Sequence, residues 1–387
     1  MNIEKLEISG IGGIRELKLN FHQGFNALCG PNGIGKTTIL KIIVNAFTSQ
    51  TYMLKRHASC NKGQYKIHYN ANGSSQSKQV TIKEFAPQKR EGNINTNDNT
   101  PYIMYFRENR SIEYMELENI PKDIHKDKYQ VANQLEYGID ISDMKGWFDN
   151  RFLFSSHKGS LTDVQMANTE LAKKSISVLD ETVAFKTVDA KSLDIILTSR
   201  NGDIYFEYLS AGYKSCVYII MGLIKEIEYR FENKDAKDFN GVVLIDEIDL
   251  HLHPIWQAKL VEALKKLFPL AQFITTTHSP SVLQTLKKEE IIPLTQDENG
   301  NVRIKELNLT EYGLQGWTIE EILRDVMEMP ETTSTLYENT KRDFDRAMNT
   351  DQVELAKGKY EILKKMLHPD SVIRRLIDIQ FAGLESD

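Results

Sequence analysis

Residues Gly30-Pro31-Asn32-Gly33-Ile34-Gly35-Lys36-Thr37-Thr38 fit the spacing G-x-x-x-x-G-K-[ST] of a phosphate-binding loop. Glycines at 30, 33 and 35 let successive backbone N–H groups converge on a β- and a γ-phosphate. Lys36 adds a point charge there, and the Thr37 hydroxyl is of the type that ligates Mg²⁺. Asn32 and Thr38 complete the expected nucleotide contacts. A second anchor for the metal follows the wholly apolar run Val242-Val243-Leu244-Ile245, which ends in Asp246-Glu247. Two carboxylates at the carboxyl end of a buried strand are a Walker B arrangement: Asp246 would hold the water shell of the metal, and Glu247 would orient and deprotonate an attacking water. The plainer alternative for that pair is an acidic turn. Taken together, these residues are the parts needed to bind ATP with Mg²⁺ and hydrolyse it.

Two further segments bear on that chemistry. Leu209-Ser210-Ala211-Gly212-Tyr213-Lys214-Ser215 stands where a long helix should begin, and a helix N-terminus with a small hydroxyl residue and a glycine offers N–H groups and positive dipole to a phosphate. Ser210 is equally well read as an N-cap. His278 follows the strand-like run 273–277 and precedes Ser279-Pro280; its imidazole could touch a γ-phosphate or serve only in packing.

The elements that must carry these residues follow from periodicity. Residues 3–8, 14–21 and 25–29 alternate or run apolar as short strands, the last leading into the phosphate loop; a helix with Ile39, Leu40, Ile43, Val44 and Phe47 on one face comes after it. Residues 51–101 are polar and predict surface hairpins, with strands near 65–69 and 80–85, and a mobile loop. Residues 102–106 predict a buried strand, and the following stretch, including Trp147-Phe148 and a helix over 164–179, an inserted helical lobe. The core resumes near Leu193 with a strand over 204–208, a helix over 212–230, a strand over 242–245, a helix over 254–267 and a strand over 273–276. The alternation predicts an α/β sheet with parallel strands. The expected division is an N-terminal head lobe (1–110), an inserted lobe (111–192), a C-terminal head lobe (193–317) and a helical tail (318–387).

In their order and separations these segments resemble the ABC ATPase superfamily, and residues 209–215 look like the signature of its SMC and RecF branch. The fold implied is an ABC-type P-loop head: a mixed sheet, an N-terminal antiparallel β portion, an inserted helical lobe and a helical C-terminal tail. The resemblance implies two heads paired around two ATP molecules. Ser210, Ala211, Gly212 and Lys214 would then form the signature facing the other copy's phosphates, with Asp249 as the D-loop residue and His278 as the switch histidine. Where the family usually places a Gln, this chain reads Arg107-Glu108-Asn109-Arg110. The stretch 246–257, which includes His251-Leu252-His253-Pro254, together with 276–280 resembles bacterial ATPases that accompany nucleases in antiphage systems (the Septu, PARIS and retron-linked types) and the heads of OLD-family nucleases. His251 and His253 fit packing at a helix start better than a metal site.

Other features exclude function classes. With 387 residues and 41% apolar content the chain can bury a sizeable core, and no stretch approaches the roughly 18 apolar residues of a membrane span. The N-terminus lacks the layout of a signal peptide, and Cys29, Cys60 and Cys216 form no paired framework, so a cytoplasmic chain with reduced thiols is expected. A net charge of -6 leaves DNA contact to local patches or a partner. Only about 170 residues without sustained heptads separate phosphate loop from signature, so the SMC coiled-coil arms are missing. Glu289, Glu290, Asp297 and Glu298 surround a Gly300-Asn301 turn between two short strands rather than a nuclease centre. Any cleavage would belong to a separate nuclease subunit. The tail mixes Arg342, Arg346, Lys357, Lys359, Lys364, Lys365, Arg374 and Arg375 with acidic residues, a solvated helical face; its Tyr360, Leu363, Met366, Ile373 and Leu376 could instead build a helical hairpin that docks a partner. The competing function is a RecF-like clamp that closes on DNA with ATP.

Overall fold

The computed structural model describes residues 1–48, 54–89, 96–108, 114, 116–329 and 332–384. Its contacts divide into two compact units, Met1–Ile322 and Leu323–Asp387.

Short strands dominated by apolar residues are stable with both faces covered, which is the setting of parallel sheets. β3 (Phe25–Cys29), β6 (Ile103–Phe106), β10 (Val242–Ile245) and β11 (Gln272–Thr276) are buried throughout and pair in parallel. With β12 (Ile291–Gln296), parallel to β3, and the antiparallel edge strand β13 (Val302–Ile304) they form a six-stranded mixed sheet ordered β13-β12-β3-β11-β10-β6. The registers Thr276 to Leu28 and Ile245 to Thr275 bring the carboxyl ends of β3, β11 and β10 to one edge. Asp297 caps the turn between β12 and β13 by accepting from the backbone N–H of Asn299 and Asn301.

β1 (Asn2–Ile11), β2 (Ile14–Asn20), β4 (Gly63–Ala71) and β5 (Ser74–Ile82) make an antiparallel sheet ordered β2-β1-β4-β5. β4 is more than the surface hairpin expected: it pairs along β1, and its alternate residues Tyr65, Ile67 and Tyr69 are buried. Their partner is α1 (Lys36–Thr48); Phe47 meets Tyr69 edge-on at 5.2 Å, and the Tyr65 hydroxyl donates to Asn45 Oδ1 at 2.6 Å. The polar residues of β4 hid this role because they face outward on the alternate positions. Part of the loop expected to be mobile, residues 90–95, lies outside the described residues.

The lobe after β6 contains α2 (Lys128–Tyr137), α3 (Met144–Ser155) and α4 (Asp163–Leu179), with capping boxes Asp127/Gln130 and Thr162/Gln165 starting α2 and α4. β7 (Ala184–Val188), β8 (Ile195–Ser199) and β9 (Gly202–Tyr205) follow as a separate three-stranded antiparallel sheet. The strand expected over 204–208 is thus shorter and belongs to this small sheet. Phe206 buries itself and the chain coils through a 3₁₀ turn at Phe206–Tyr208, where the Tyr205 and Tyr208 rings meet edge-on at 5.7 Å.

α5 (Ala211–Arg230) passes through the middle and is anchored by buried charge. Arg230 donates to Ile103 O at 2.6 Å and Gln134 Oε1 at 2.7 Å, Lys126 to Glu226 at 2.8 Å, and Trp147 and Arg151 to Glu228 Oε2 at 2.9 and 2.8 Å. Burial would raise the Glu226 carboxyl, but Lys225, Arg230 and Lys126 hold it well below its ordinary value. Asp149 of α3 has the opposite fate: fully buried, with no hydrogen bond to either carboxylate oxygen, it is pushed up to about 7 by desolvation, against the pull of Lys145.

α6 (Pro254–Leu267) links β10 to β11, and the short α7 (Pro280–Leu283) follows β11. α8 (Ile319–Asp325) leads out of the first unit. The second unit contains α9 (Thr335–Asn349), α10 (Val353–Met366) and α11 (Val372–Leu384) around Phe344, Ala347, Ala356, Leu363, Ile377 and Phe381. Tyr360 stacks on Phe381 at 4.4 Å, and its hydroxyl donates to Asp378 at 2.7 Å. Of the apolar tail residues singled out in the sequence, Leu363 and Tyr360 pack inward, whereas Met366, Ile373 and Leu376 remain exposed. No described helix is long and apolar enough to cross a membrane.

Candidate functional site

The phosphate loop turns sharply out of β3 because its glycines permit it. Gly30 has φ +127°, and a Cβ there would lie 2.2 Å from the Leu294 carbonyl oxygen of β12, so no other residue fits. Gly33 and Gly35 also have positive φ, which curls the loop onto the first turn of α1. Lys36 opens α1, and its ammonium donates to the carbonyls of Gly30 and Pro31, both at 2.9 Å. Burial lowers it to about 8, opposed by nearby acidic groups, Cys29 and Asp246 foremost. Thr38 sits against the β1–β2 turn, its Cγ2 at 3.2 Å from where a Cβ of Gly12 would be; Asn32 is exposed on the loop.

Across the mouth of the loop stands the end of β10. Thr37 Oγ1 donates to Asp246 Oδ1 at 3.1 Å, and Thr276 Oγ1, at the end of β11, donates to the same oxygen at 2.6 Å. The Thr276 oxygen in turn accepts from the Glu247 backbone N–H at 2.7 Å, which fixes Glu247 at φ +49°, a conformation uncommon for a non-glycine residue. Asp249 Oδ1 accepts from Thr277 Oγ1 at 2.6 Å and from the His278 backbone N–H at 3.2 Å. Gln257 of α6 completes this frame: its amide donates to the carbonyls of Leu252 and Asp249 at 2.9 and 3.2 Å and accepts from Ser279 Oγ at 2.5 Å. Desolvation, then Lys36, lowers the His278 imidazole, favouring its neutral form.

The structure therefore gathers Gly30, Gly33, Gly35, Lys36, Thr37, Asp246, Glu247, Asp249 and His278 at one edge of the sheet. Sequence reasoning assigned no role to Thr276, Thr277, Gln257 or Ser279. The available signal was the run of hydroxyls closing an otherwise apolar strand, where buried polar groups require partners. His253 caps α6 by accepting from the Ile255 N–H at 3.4 Å, and His251 lies exposed at φ +62°. Arg107 turns toward the lobe, donating to Glu136 O at 3.3 Å and to Glu108 at 3.2 Å, while Asn109 and Arg110, the other candidates for the missing Gln, lie outside the described residues.

Ser210, Ala211, Gly212 and Lys214 stand apart from this group. Ser210 is the exposed N-cap of α5, accepting from the Tyr213 N–H at 3.3 Å, and Lys214 donates to Glu207 O at 2.8 Å. Among the described residues no hydrogen bond joins these four to the phosphate loop.

The AAA ATPase domain family model matches residues 48–283, a span that takes in Asp246, Glu247, His278 and the signature segment but begins after the phosphate loop. The Septu protein PtuA of Bacillus thuringiensis is 41% identical over 394 residues, covering 98% of both chains. The Retron Ec83 probable ATPase of Escherichia coli is 34% identical over 144 residues, 37% of this chain and 26% of that one. Among solved structures the SMC head domain from Thermotoga maritima aligns with 80% of this chain and all of its own at a TM-score of 0.47 and 16% identity. By its full-length likeness the chain belongs to the Septu PtuA family of antiphage-defence ATPases and carries the AAA ATPase domain.

Proposed function

We propose that the chain binds ATP with Mg²⁺ at the phosphate loop, hydrolyses it when two heads pair, and through that cycle controls a separate nuclease subunit. The observation that carries the reading is the convergence of Thr37 and Thr276 on one oxygen of Asp246 beside the Lys36 ammonium. Thr37 Oγ1 and the Asp246 carboxylate are hard oxygen ligands of the kind Mg²⁺ takes, and they would hold it. When bound, the metal supplies charge neutralisation to the phosphates. Lys36, partly desolvated, regains a full charge partner when a phosphate replaces the loop carbonyls it now contacts. Glu247 accepts the proton of the attacking water, its place set by the Thr276 hydroxyl. His278, kept neutral by burial, donates one N–H toward the γ-phosphate. Ser210 is exposed at the N-terminus of α5, with Gly212 packed behind it on Trp256, so the Ser210 hydroxyl and the first-turn N–H groups serve the nucleotide of a second copy.

Lys36→Ala abolishes nucleotide binding in this scheme. Glu247→Gln binds ATP but loses about 10²- to 10⁴-fold in turnover and accumulates as paired heads. Specific activity of the wild type rises with protein concentration until pairing saturates. Equal turnover by Glu247→Gln sinks the base assignment. Recovery of tagged Glu247→Gln from its own cells with ATP present, followed by mass spectrometry, tests the partner: a nuclease-like protein in fixed ratio supports the reading, whereas DNA and repair factors alone replace it with an ATP-driven DNA clamp.

A further inference from the structure

Two consecutive side chains on the first turn of α6 point to different machinery. Trp256 forms the seat of the signature segment: a Cβ on Gly212 would lie 2.8 Å from Trp256 Cδ1, the Tyr213 ring meets Trp256 edge-on at 5.0 Å, and Lys259 Nζ lies over the indole at 4.9 Å from the ring centre. Gln257 instead bonds Leu252 O, Asp249 O and Ser279 Oγ, at 2.9, 3.2 and 2.5 Å. It thereby ties the turn after Glu247 to the segment that carries His278. Both backbone N–H groups are fixed to one carbonyl, that of His253, at 2.8 and 3.2 Å, so neither residue can rotate about the helix without the other.

We infer that Trp256 and Gln257 are positioning residues for two different ATP sites: Gln257 for the site built on its own phosphate loop, and Trp256, through the signature, for the site of the paired copy. The first turn of α6 is then the joint at which the state of one site is felt by the other. This rests on the head-pairing reading above. Close packing supplies the stiffness, because a glycine with no room for a methyl beside a clamped indole cannot shift without displacing the indole. A helix turn is also a better lever than a loop, since its residues move together.

The test uses hybrids of two inactive full-length chains, co-expressed with different tags and purified through both. Lys36→Ala lacks a working phosphate loop but keeps its signature; Ser210→Arg lacks the signature but keeps its phosphate loop. Turnover by the hybrid reports one composite site. Trp256→Ala added to the signature-giving Lys36→Ala chain is expected to cut hybrid turnover about tenfold or more, while the same change in the Ser210→Arg chain leaves it within about twofold. Gln257→Ala is expected to show the reverse asymmetry, with ATP binding retained. Trp256→Phe, which keeps an aromatic wall, restores most of the signature-side loss, and this separates positioning from misfolding. Equal losses from both placements of Trp256→Ala, or no rescue by Trp256→Phe, overturn the assignment. If the parent hybrid itself shows no turnover, the pairing reading fails first and takes the inference with it.

Discussion

Thr276→Val is the sharpest perturbation of the catalytic frame, because it changes shape little and removes two contacts at once. The Thr276 hydroxyl is 1% exposed, donates to Asp246 Oδ1 at 2.6 Å and accepts from the Glu247 N–H at 2.7 Å. Losing a hydrogen bond to a charged group while removing the acceptor of a backbone N–H costs about 2–4 kcal/mol, the desolvation of those groups being no longer offset. For a unit this large that corresponds to a melting temperature lower by about 3–8 °C. The effect on rate follows from geometry rather than stability. Glu247 is held at positive φ by that contact, and relaxation of the turn displaces its carboxylate enough to lower turnover about 10²-fold. Thr276→Ser keeps the hydroxyl and stays within about tenfold of wild type on the same argument. Thermal unfolding with steady-state phosphate release decides the matter: a folded Thr276→Val protein hydrolysing ATP at the wild-type rate refutes the claim that this hydroxyl positions the site.

Gly30→Ala should fail to give soluble protein or lose about 3 kcal/mol or more by chemical denaturation, since its methyl would meet the Leu294 carbonyl at 2.2 Å at a φ of +127°. Asp149→Asn should stabilise the protein above neutrality. The Asp149 carboxyl, pushed up from 3.8 to about 7, binds its proton more tightly folded than unfolded, so wild-type stability falls as pH rises between those two values and the neutral amide escapes that loss; melting curves at pH 5 and pH 8 should show the variant gaining on wild type at both, and more at the higher value. Phe344→Ala, emptying the centre of the second unit, should cost about 3–5 kcal/mol and expose residues 323–387 to limited proteolysis.

The parallel strands β3, β10 and β11 were legible almost to the residue, because a strand buried on both faces is dominated by apolar residues and turns punctuate it; the buried Asn26 of β3 and Gln272, Thr275 and Thr276 of β11 are tolerated because each is hydrogen-bonded. The chemistry at their carboxyl ends was legible for a related reason, phosphate binding demanding glycines at fixed positions. β4 and β9 were harder. Alternation in β4 is real, but its polar half resembles a loop, and its pairing with β1 is a long-range fact no local pattern carries. In β9 the apolar run continues through Phe206–Tyr208, and only the need to enter α5 tells the chain to coil there. The supporting frame of Thr276, Thr277, Gln257 and Ser279 was illegible because each is an ordinary polar residue until the fold brings it against Asp246 or Asp249.

For Ser210 the sequence left two roles open, helix cap and phosphate contact, and the geometry makes them compatible. As N-cap its oxygen accepts from the Tyr213 N–H at 3.3 Å, which engages a lone pair and leaves the hydroxyl hydrogen on an exposed side chain free to donate to a phosphate oxygen. The two roles can be separated by substitution. Ser210→Asp retains a good cap, so its stability should match wild type, whereas Ser210→Ala loses about 1 kcal/mol. Turnover should rank the other way. Alanine merely lacks a donor, but a carboxylate at that position meets the second copy's γ-phosphate with like charge and should lower turnover about 10²-fold beyond alanine. If turnover follows stability, with aspartate above alanine, Ser210 is a cap and nothing more, and the pairing of heads must rest on other residues.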